Sequence, residues 1–235
     1  MSAEADLTLE QVDRDGALLE AVAAIAGATR AELLRGAALG GAALLAALAQ
    51  PEGALGAGRG RARDTAILNY GLGFEYMQAG FYTEAEALGT IRGMSAERQL
   101  WARTLGAHER AHVRILKQVL GKRAVRKPFF DYRGVTESPV DFTRTAVAME
   151  DLTVALLGGQ APRMSDRNLR AAFFSLLTVE ARHAAWARRI VGVVPVAAAL
   201  DQPKSLAEVD RFVRSTRFIV DRPQTGGRRR PRFTG

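Results

Sequence analysis

Six side chains of types that bind metal ions recur along the middle of the sequence. Four of them form two Glu-x-x-His motifs, whose i,i+3 spacing places both side chains of a motif on one helix face, one turn apart. The other two are glutamates that interrupt apolar stripes of helical spacing. The six residues are Glu75, Glu109, His112, Glu150, Glu180 and His183. Because an unpaired carboxylate is costly to bury, four inward-facing glutamates must be matched by cations or protons.

Four predicted helices carry these residues, with one of the glutamates on each. The composition is rich in Ala and Leu and poor in β-branched residues, which favours helices over sheets. Apolar periodicity, N-cap candidates and glycine stops place helix A at Asp64–Leu88, helix B at Ser95–Leu120, helix C at Asp141–Leu157 and helix D at Ser165–Val191. The pair Gly158-Gly159 predicts the end of helix C. A shorter helix is predicted over roughly Ser205–Val220.

The connections between the helices predict their arrangement. The A–B and C–D links are short, so each pair forms an antiparallel hairpin. The B–C link runs from Gly121 to Val140, contains Pro128 and Pro139, and has no sustained helical period. A helix the length of B is about 39 Å long at ~1.5 Å per residue, while the link reaches about 66 Å at ~3.3 Å per residue when extended. The link can therefore run the full length of a bundle, as in four-helix bundles that have one long crossover.

The positions of the glutamates along the two hairpins indicate a single layer. The midpoint between Glu75 and Glu109 is residue 92, in the A–B turn, and the midpoint between Glu150 and Glu180 is residue 165, at the C–D turn. In each hairpin the two carboxylates therefore lie about equally far from the turn. All four glutamates can meet at one level of the bundle.

This order of side chains resembles the dinuclear carboxylate pattern of the ferritin-like proteins, in which Glu, Glu-x-x-His, Glu and Glu-x-x-His lie on successive helices. The segments Ile67-Leu68-Asn69-Tyr70, Phe74-Glu75-Tyr76 and Phe81-Tyr82 are also similar to the bacterial ferritin-like and desiccation-related proteins. The resemblance covers residues 64–192. It implies an all-α fold, a ferritin-like four-helix bundle with a long B–C crossover, an N-terminal leader helix and a short C-terminal helix.

The resemblance also implies a ligand set for two divalent metal ions. Four carboxylates carry a charge of −4, which matches two such ions, and two neutral imidazoles add one ligand to each. Glu109 and Glu180 are expected to bridge the ions, while Glu75 and Glu150 are expected to bind one ion each. Oxygen-rich sites with two histidines suit iron or manganese better than copper, and zinc also fits.

A second motif overlaps the first. The segment His108-Glu109-Arg110-Ala111-His112 matches His-Glu-x-x-His, in which the two histidines of a metallopeptidase bind zinc and the glutamate activates water. Arg110 is charged at a position that such enzymes usually bury, and no strand signal precedes the helix. The zinc-peptidase interpretation also leaves the motif at Glu180 without a role. It stays open as an alternative, and His108 is otherwise expected beside the ligands or at the surface.

Three neighbours of the six residues have competing interpretations. Asp151 could replace Glu150 as the ligand from helix C. Tyr76 and Tyr82 fit either an apolar core, where tyrosines are common, or a redox-active position beside the metals.

The N-terminal quarter of the chain predicts targeting rather than a part of the bundle. The sequence predicts an amphipathic leader over residues 1–28 and a flexible linker over residues 50–63. Residues 29–49 resemble a twin-arginine export signal, although Ala31 stands where the second arginine is expected. An ordinary packed apolar helix and a non-functional remnant or anchor are the alternatives for this segment. The apolar run at 36–49 is too short to span a bilayer and ends in the small-residue pattern Ala47-Leu48-Ala49. We expect export to the periplasm or beyond the cell, with the cytoplasm as the alternative, and no stable membrane span.

The overall composition excludes several classes of site. The chain has no cysteine, which excludes disulfides, thiolate catalysis and cysteine-ligated metals. The C-terminal region 193–235 ends in a basic tail. Its last fifteen residues hold five Arg and one Asp and supply half of the net charge of +8. No recognition motif accompanies this charge, so nucleic acid is not an expected partner. Assembly of several copies is compatible with the sequence.

The sequence leaves two main classes of function open. The first is a dinuclear-metal oxidoreductase that oxidises ferrous iron or reacts with dioxygen or peroxide in a stress response. The second is a non-catalytic structural or desiccation-related protein whose metal site is vestigial.

Overall fold

Four long helices make up most of the described chain. The computed structural model describes residues 57–222. The helices are α1 (Ala57–Ala87), α2 (Ala96–Leu120), α3 (Pro139–Gln160) and α4 (Arg167–Ile190), and a shorter helix α5 (Leu206–Thr216) follows them. Short 3-10 turns at Ile91–Gly93, Gly121–Arg123 and Ala161–Arg163 connect or extend the long helices. The predicted all-α fold is confirmed.

Side-chain caps fix the starts of α2, α4 and α5, with the capping residues at, or within one residue of, the predicted starts. The Ser95 hydroxyl accepts a hydrogen bond from the backbone N–H of Arg98 at the start of α2. Asp166 accepts two such bonds at the start of α4, from the N–H groups of Asn168 and Leu169. Ser205 caps α5 in a reciprocal arrangement with Glu208. These bonds satisfy N–H groups that the first turn of a helix leaves without partners.

The helices form a bundle of two antiparallel hairpins, α1–α2 and α3–α4, with α1 also packed on α3 and α2 on α4. Helices α1 and α3 run in opposite directions, because Gln78 contacts Thr153 while the later residue Tyr82 contacts the earlier residue Glu150. Since α1 is antiparallel to both of its neighbours, α2 and α3 run in the same direction. The connection between them therefore travels the length of the bundle, as predicted.

This crossover is anchored to the bundle by aromatic side chains. Tyr132 is buried, and its hydroxyl donates a hydrogen bond of 2.7 Å to the carbonyl of Met77 in α1. A strand of two residues, β1 (Phe129–Phe130), pairs antiparallel with β2 (Ile219–Val220), which follows α5. The link between α2 and α3 is thus held between α1 and the C-terminal segment.

Helix α1 begins earlier than the predicted start at Asp64. Residues 57–63, which the sequence assigns to a linker, belong to the helix. Asp64 does not cap α1; its buried carboxylate accepts hydrogen bonds of 2.8 Å from the backbone N–H groups of Ser165 and Asp166. Arg63 also donates a 2.6 Å hydrogen bond to the Ser165 hydroxyl. This part of α1 is therefore tied to the link between α3 and α4.

Helix α3 continues past the predicted stop at Gly158-Gly159. A Cβ atom at Gly159 would overlap the carbonyl oxygen of Lys204, and the Lys204 N–H donates to the carbonyl of Ala155. The glycine thus allows close approach of another segment rather than ending the helix. The C-terminal helix, in turn, ends at Thr216 rather than near Val220, where the chain enters β2.

Several predictions concern residues outside the described range. They are the leader at 1–28, the export-like segment at 29–49, residues 50–56 of the linker and the basic tail from residue 223. Within residues 57–222, none of the helices has both the length and the apolar character needed to cross a membrane.

Candidate metal centre

The four long helices bring all six sequence-predicted residues together in the interior of the bundle. Helix α1 supplies Glu75, α3 supplies Glu150, and α2 and α4 each supply a Glu-x-x-His pair. Every one of the six is buried, and the four glutamates are at most 1% exposed. The apolar residues one turn before the glutamates form the surrounding stripe: Leu72, Leu105, Ala146 and Leu176.

The six side chains fall into two overlapping groups of four. One group contains Glu75, Glu109, His112 and Glu180, and the other contains Glu109, Glu150, Glu180 and His183. Within each group, one ligand atom from every residue lies within 4.8 Å of the others. Glu109 and Glu180 belong to both groups, so each half of the site has two shared carboxylates, one carboxylate of its own and one imidazole.

Each imidazole faces three carboxylates through its Nδ1 atom. His112 Nδ1 lies 2.9 Å from Glu180 Oε1, 3.3 Å from Glu75 Oε2 and 3.5 Å from Glu109 Oε2. In the other half, the Nδ1 atom of His183 lies 3.0 Å from an oxygen of Glu109, 3.4 Å from Glu180 and 3.7 Å from Glu150. The i,i+3 spacing on α2 and α4 produces this pairing, because it stacks the two side chains of each motif on one face.

Eight buried polar atoms of these residues have no partner with hydrogen-bond geometry. They are Glu75 Oε2, both oxygens of Glu109, His112 Nδ1, Glu150 Oε2, both oxygens of Glu180 and His183 Nδ1. Buried polar atoms of folded proteins are normally hydrogen-bonded, since leaving them unsatisfied costs stability. Their close approach without hydrogen bonds fits shared cations, so the residues present fit a metal centre.

Burial and proximity shift the pKa values of the site in the metal-free protein. Burial raises the pKa of Glu75 well above its usual value, and burial together with the charge of Glu109 raises the pKa of Glu150 to about 8. Burial opposes protonation of His183, but the nearby carboxylates of Glu109, Glu150 and Glu180 outweigh it and raise its pKa to about 12. The pKa of His112 is likewise raised by Glu75, Glu109 and Glu180, despite burial. Without metal, protons therefore balance part of the carboxylate charge.

Two further side chains contact members of the two groups. The buried Tyr82 hydroxyl donates a 2.7 Å hydrogen bond to Glu150 Oε1. His108 lies against His183, with 2.8 Å between His108 Nδ1 and His183 Nε2. The sequence names Tyr82 and His108 as neighbours of the site but gives neither contact, because each joins helices that are distant along the chain.

The other candidates lie away from the two groups. Asp151 forms an ion pair of 2.8 Å with Arg188 at the edge of the bundle, so Glu150 is the residue of this pair that enters the site. The hydroxyl of Tyr76 is 3.5 Å from the carbonyl of Val125 in the crossover. His108 belongs to neither group of candidate ligands, so His108 and His112 do not join a common cluster as the zinc-peptidase motif requires.

The sequence that forms the bundle matches a known protein family. A family profile described as a ferritin-like domain matches residues 63–193, which is more than half of the chain and includes all six residues of the site. A search of curated proteins finds no match to the chain.

Proposed function

Because the chain belongs to the ferritin-like domain family, we propose that its bundle binds two divalent ions, of iron or manganese, between the six buried side chains. The observation that carries the proposal is the pair of overlapping groups that share Glu109 and Glu180. Glu75 and His112 complete the site for one ion, and Glu150 and His183 complete the site for the other.

Charge and ligand type support two ions rather than one. Four ionised carboxylates balance two divalent cations, whereas a single ion would leave a buried charge of about −2 that only retained protons could balance. Sites rich in carboxylate oxygens, with one imidazole per ion, suit iron and manganese. Zinc also accepts these ligands, and elemental analysis distinguishes it from iron and manganese.

When bound, a pair of redox-active ions supplies electrons to dioxygen or peroxide, which would suit ferrous oxidation or peroxide removal in a stress response. The residues of the chain set the conditions for this chemistry. Tyr82 fixes the orientation of Glu150 through its 2.7 Å hydrogen bond. The apolar stripe, which includes Leu72 and Leu105, excludes water from the layer of carboxylates.

Metal binding must also displace protons. His112 and His183 have to release the protons that the surrounding carboxylates hold on them, because only the neutral imidazole is a ligand. Glu75 and Glu150, whose pKa values are raised by burial, also bind metal as ionised carboxylates. The protein therefore exchanges protons for cations at one buried charge cluster.

The zinc-peptidase alternative has less support than the dinuclear site. His108 contacts the ring of His183 rather than the cluster that contains Glu109 and His112. The motif thus contributes its Glu and second His to one buried group, while its first His has a different neighbour.

Titration of metal-free, full-length protein with Mn²⁺ in a calorimeter tests the proposal. We expect saturation at two ions per chain. The matched control is Asp151→Ala, which removes the carboxylate beside Glu150 that pairs with Arg188 and should leave the stoichiometry at two. Saturation at one ion, or no binding, would contradict the dinuclear site.

A second assay separates the catalytic proposal from a vestigial site. Ferrous iron added in air should be oxidised faster by the wild-type protein than by Glu109→Ala, which lacks a shared carboxylate. Equal rates, with two ions still bound by the wild-type protein, would favour the non-catalytic structural function.

A further inference from the structure

A cavity of about 320 Å³ lies between α1, α2 and the crossover, at residues that take no part in the metal centre. Helix α1 lines it with Tyr76, Ala79, Gly80 and Thr83, α2 lines it with Arg110, Val113 and Arg114, and the crossover adds Lys127. This volume is at the small end of the range for sites that bind small molecules. The cavity therefore has room for a ligand and not only for water.

Three cations line this cavity, and two of them lack an anionic partner. Arg110 is held in position, because it donates 3.2 Å hydrogen bonds to Thr83 Oγ1 and to Glu86 Oε1. Within residues 57–222, Arg114 and Lys127 form no ion pair. Burial lowers the pKa of Lys127, so its ammonium group is partly withdrawn from water without a carboxylate to compensate. The cavity thus presents two uncompensated positive charges beside one that Glu86 balances.

The remaining lining residues define the other part of a ligand. Ala79, Gly80 and Val113 offer an apolar floor, and the Tyr76 ring extends it. The Tyr76 hydroxyl has only a long hydrogen bond, 3.5 Å to the carbonyl of Val125, so it is free to contact a ligand as well. A small molecule with an apolar body and a strongly anionic head is complementary to this arrangement.

We propose that this cavity binds a small organic phosphate, with its phosphate group on Arg110, Arg114 and Lys127 and its apolar part on the floor. Phosphate suits the site better than a carboxylate, because a phosphate dianion matches the two uncompensated cations and offers three acceptor oxygens to the surrounding donors. Arginine in particular forms bidentate hydrogen bonds with phosphate.

The phosphate site is distinct from the metal centre, although the same helices build both. Tyr76, Arg110 and Val113 directly follow the site residues Glu75, Glu109 and His112. Consecutive residues of a helix differ by about 100° in direction, so the cavity lies on another face of α1 and α2 and its ligand replaces no metal ligand. The inference goes beyond the proposed function and holds whether or not the centre turns over.

An adjoining cavity of about 520 Å³ extends the positive surface. It shares Arg110 with the first cavity and adds Arg92 and Arg103, together with the carboxylate of Glu86. Clustered positive charge of this kind raises the local concentration of anions and speeds their association. It therefore favours an anion over a neutral ligand of the same shape.

Titration calorimetry of the full-length protein with phenyl phosphate tests the proposal. We expect saturable binding of one phenyl phosphate per chain. Two control ligands should each bind at least about tenfold more weakly. They are inorganic phosphate, which lacks the apolar body, and benzoate, which carries a single charge. Equal affinity for inorganic phosphate would contradict the role of the apolar floor, and equal affinity for benzoate would contradict the preference for phosphate.

Variants locate the binding. The double variant Arg114→Gln/Lys127→Met should weaken phenyl phosphate binding by at least about tenfold, because it removes both uncompensated cations. Neither residue belongs to the buried core, and Lys127 is only partly covered, so the variant should fold normally. The matched control is Arg144→Gln, which removes an exposed arginine of α3 that lines neither cavity. Undiminished binding by the double variant would place the anion elsewhere and overturn the proposal. The proposal would also fall if the wild-type protein lost phenyl phosphate binding when its metal is removed.

Discussion

The imidazole rings of His108 and His183 meet through their nitrogens, with His108 Nδ1 2.8 Å from His183 Nε2, ring centres 5.1 Å apart and ring planes 22° apart. The opposite nitrogen of His183, Nδ1, faces the carboxylates of Glu109, Glu180 and Glu150. If Nδ1 of His183 binds a metal in the proposed centre, Nε2 must carry the proton and donate a hydrogen bond to Nδ1 of His108. His108 therefore selects the tautomer and the ring orientation that a metal ligand needs.

We predict that His108→Ala weakens one of two metal-binding steps by about ten- to a hundredfold, the usual effect of removing a hydrogen-bond partner of a ligating histidine. His108→Gln is the matched variant, because its side-chain oxygen can still accept a hydrogen bond from His183. Mn²⁺ titration calorimetry measures both. If His108→Ala binds both ions as tightly as the wild-type protein, the ring of His183 is held by packing alone.

The hydroxyl of Tyr82 should affect Glu150, which belongs to the same group as His183. Tyr82→Phe leaves Glu150 Oε1 without its donor, and we expect a loss of about 1–3 kcal/mol in the unfolding free energy of the metal-free protein. The same variant should weaken the binding of one metal ion, because Glu150 loses its fixed orientation.

Tyr132→Phe provides the control for this prediction. The Tyr132 hydroxyl is also buried and donates a 2.7 Å hydrogen bond, but to the carbonyl of Met77 rather than to a ligand. Its removal should lower stability to a similar extent, as chemical denaturation would measure, and leave Mn²⁺ affinity unchanged. Equal effects of the two variants on metal affinity would contradict a specific role for Tyr82.

The stability of metal-free protein should fall as pH rises from 5 to 8. The folded state holds a proton on Glu150 up to a pKa of about 8, against 4.5 for an ordinary glutamate, and on His183 up to about 12, against 6.5. Both groups thus stabilise the folded state at low pH, and this stabilisation is lost as pH rises above 4.5 for Glu150 and above 6.5 for His183. Glu109, whose pKa is lowered, is ionised in both states within this range.

Metal should reverse this dependence. Cations replace the protons, so Mn²⁺ affinity should rise with pH by about tenfold per unit for each proton displaced. Thermal unfolding of the protein at pH 5 and pH 8, after chelation and after Mn²⁺ addition, measures both trends. A metal-free protein that is more stable at pH 8 than at pH 5 would contradict the protonated carboxylate cluster.

Two adjacent glycines of α3 should respond oppositely to alanine. A Cβ atom at Gly159 would overlap the carbonyl oxygen of Lys204, whereas one at Gly158 would make an ordinary contact of 3.9 Å with the Pro203 side chain. We expect Gly159→Ala to destabilise the protein by about 1–3 kcal/mol, as overpacked sites do. Gly158→Ala should be neutral or stabilise it by up to about 1 kcal/mol, because alanine favours a helix. Chemical denaturation distinguishes the two, and equal stabilities would show that residue 204 does not approach α3 closely.

The sequence predicts the four helices and the meeting of the six residues well, because both depend on local patterns. Helical period, N-cap residues such as Ser95, and the equal distances of paired glutamates from each turn are all visible within a hairpin. Contacts between helices that are far apart in sequence are not visible in this way. The bonds of Tyr82 to Glu150 and of His108 to His183 depend on how α1 packs on α3 and α2 on α4.

The predictions that differ from the structure fail for a similar reason. Two adjacent glycines such as Gly158-Gly159 are typical of a helix end. The role of Gly159 is set instead by its close contact with Lys204, which lies 45 residues later in the chain. Asp64 is a residue type that commonly caps the start of a helix, but its carboxylate accepts hydrogen bonds from the N–H groups of Ser165 and Asp166. In both cases a tertiary contact, rather than a local propensity, decides the role of the residue.

Variants of the ligands should separate the two halves of the site. Glu75 belongs to one group only, so Glu75→Ala should leave one ion per chain, whereas Glu180→Ala removes a ligand of both groups and should leave none. Glu86→Ala removes a partly exposed carboxylate that pairs with Arg110 and should retain two. Full occupancy in Glu180→Ala would contradict the shared ligand.

Metal content of the wild-type protein tests the central claim most directly. Full-length protein purified without a histidine tag would be analysed by elemental mass spectrometry, with the metals counted per chain. We predict about two ions of iron or manganese per chain, one for each group that shares Glu109 and Glu180. One zinc ion per chain would instead support the peptidase motif at His108, and protein that stays metal-free after reconstitution with iron or manganese would contradict the dinuclear centre.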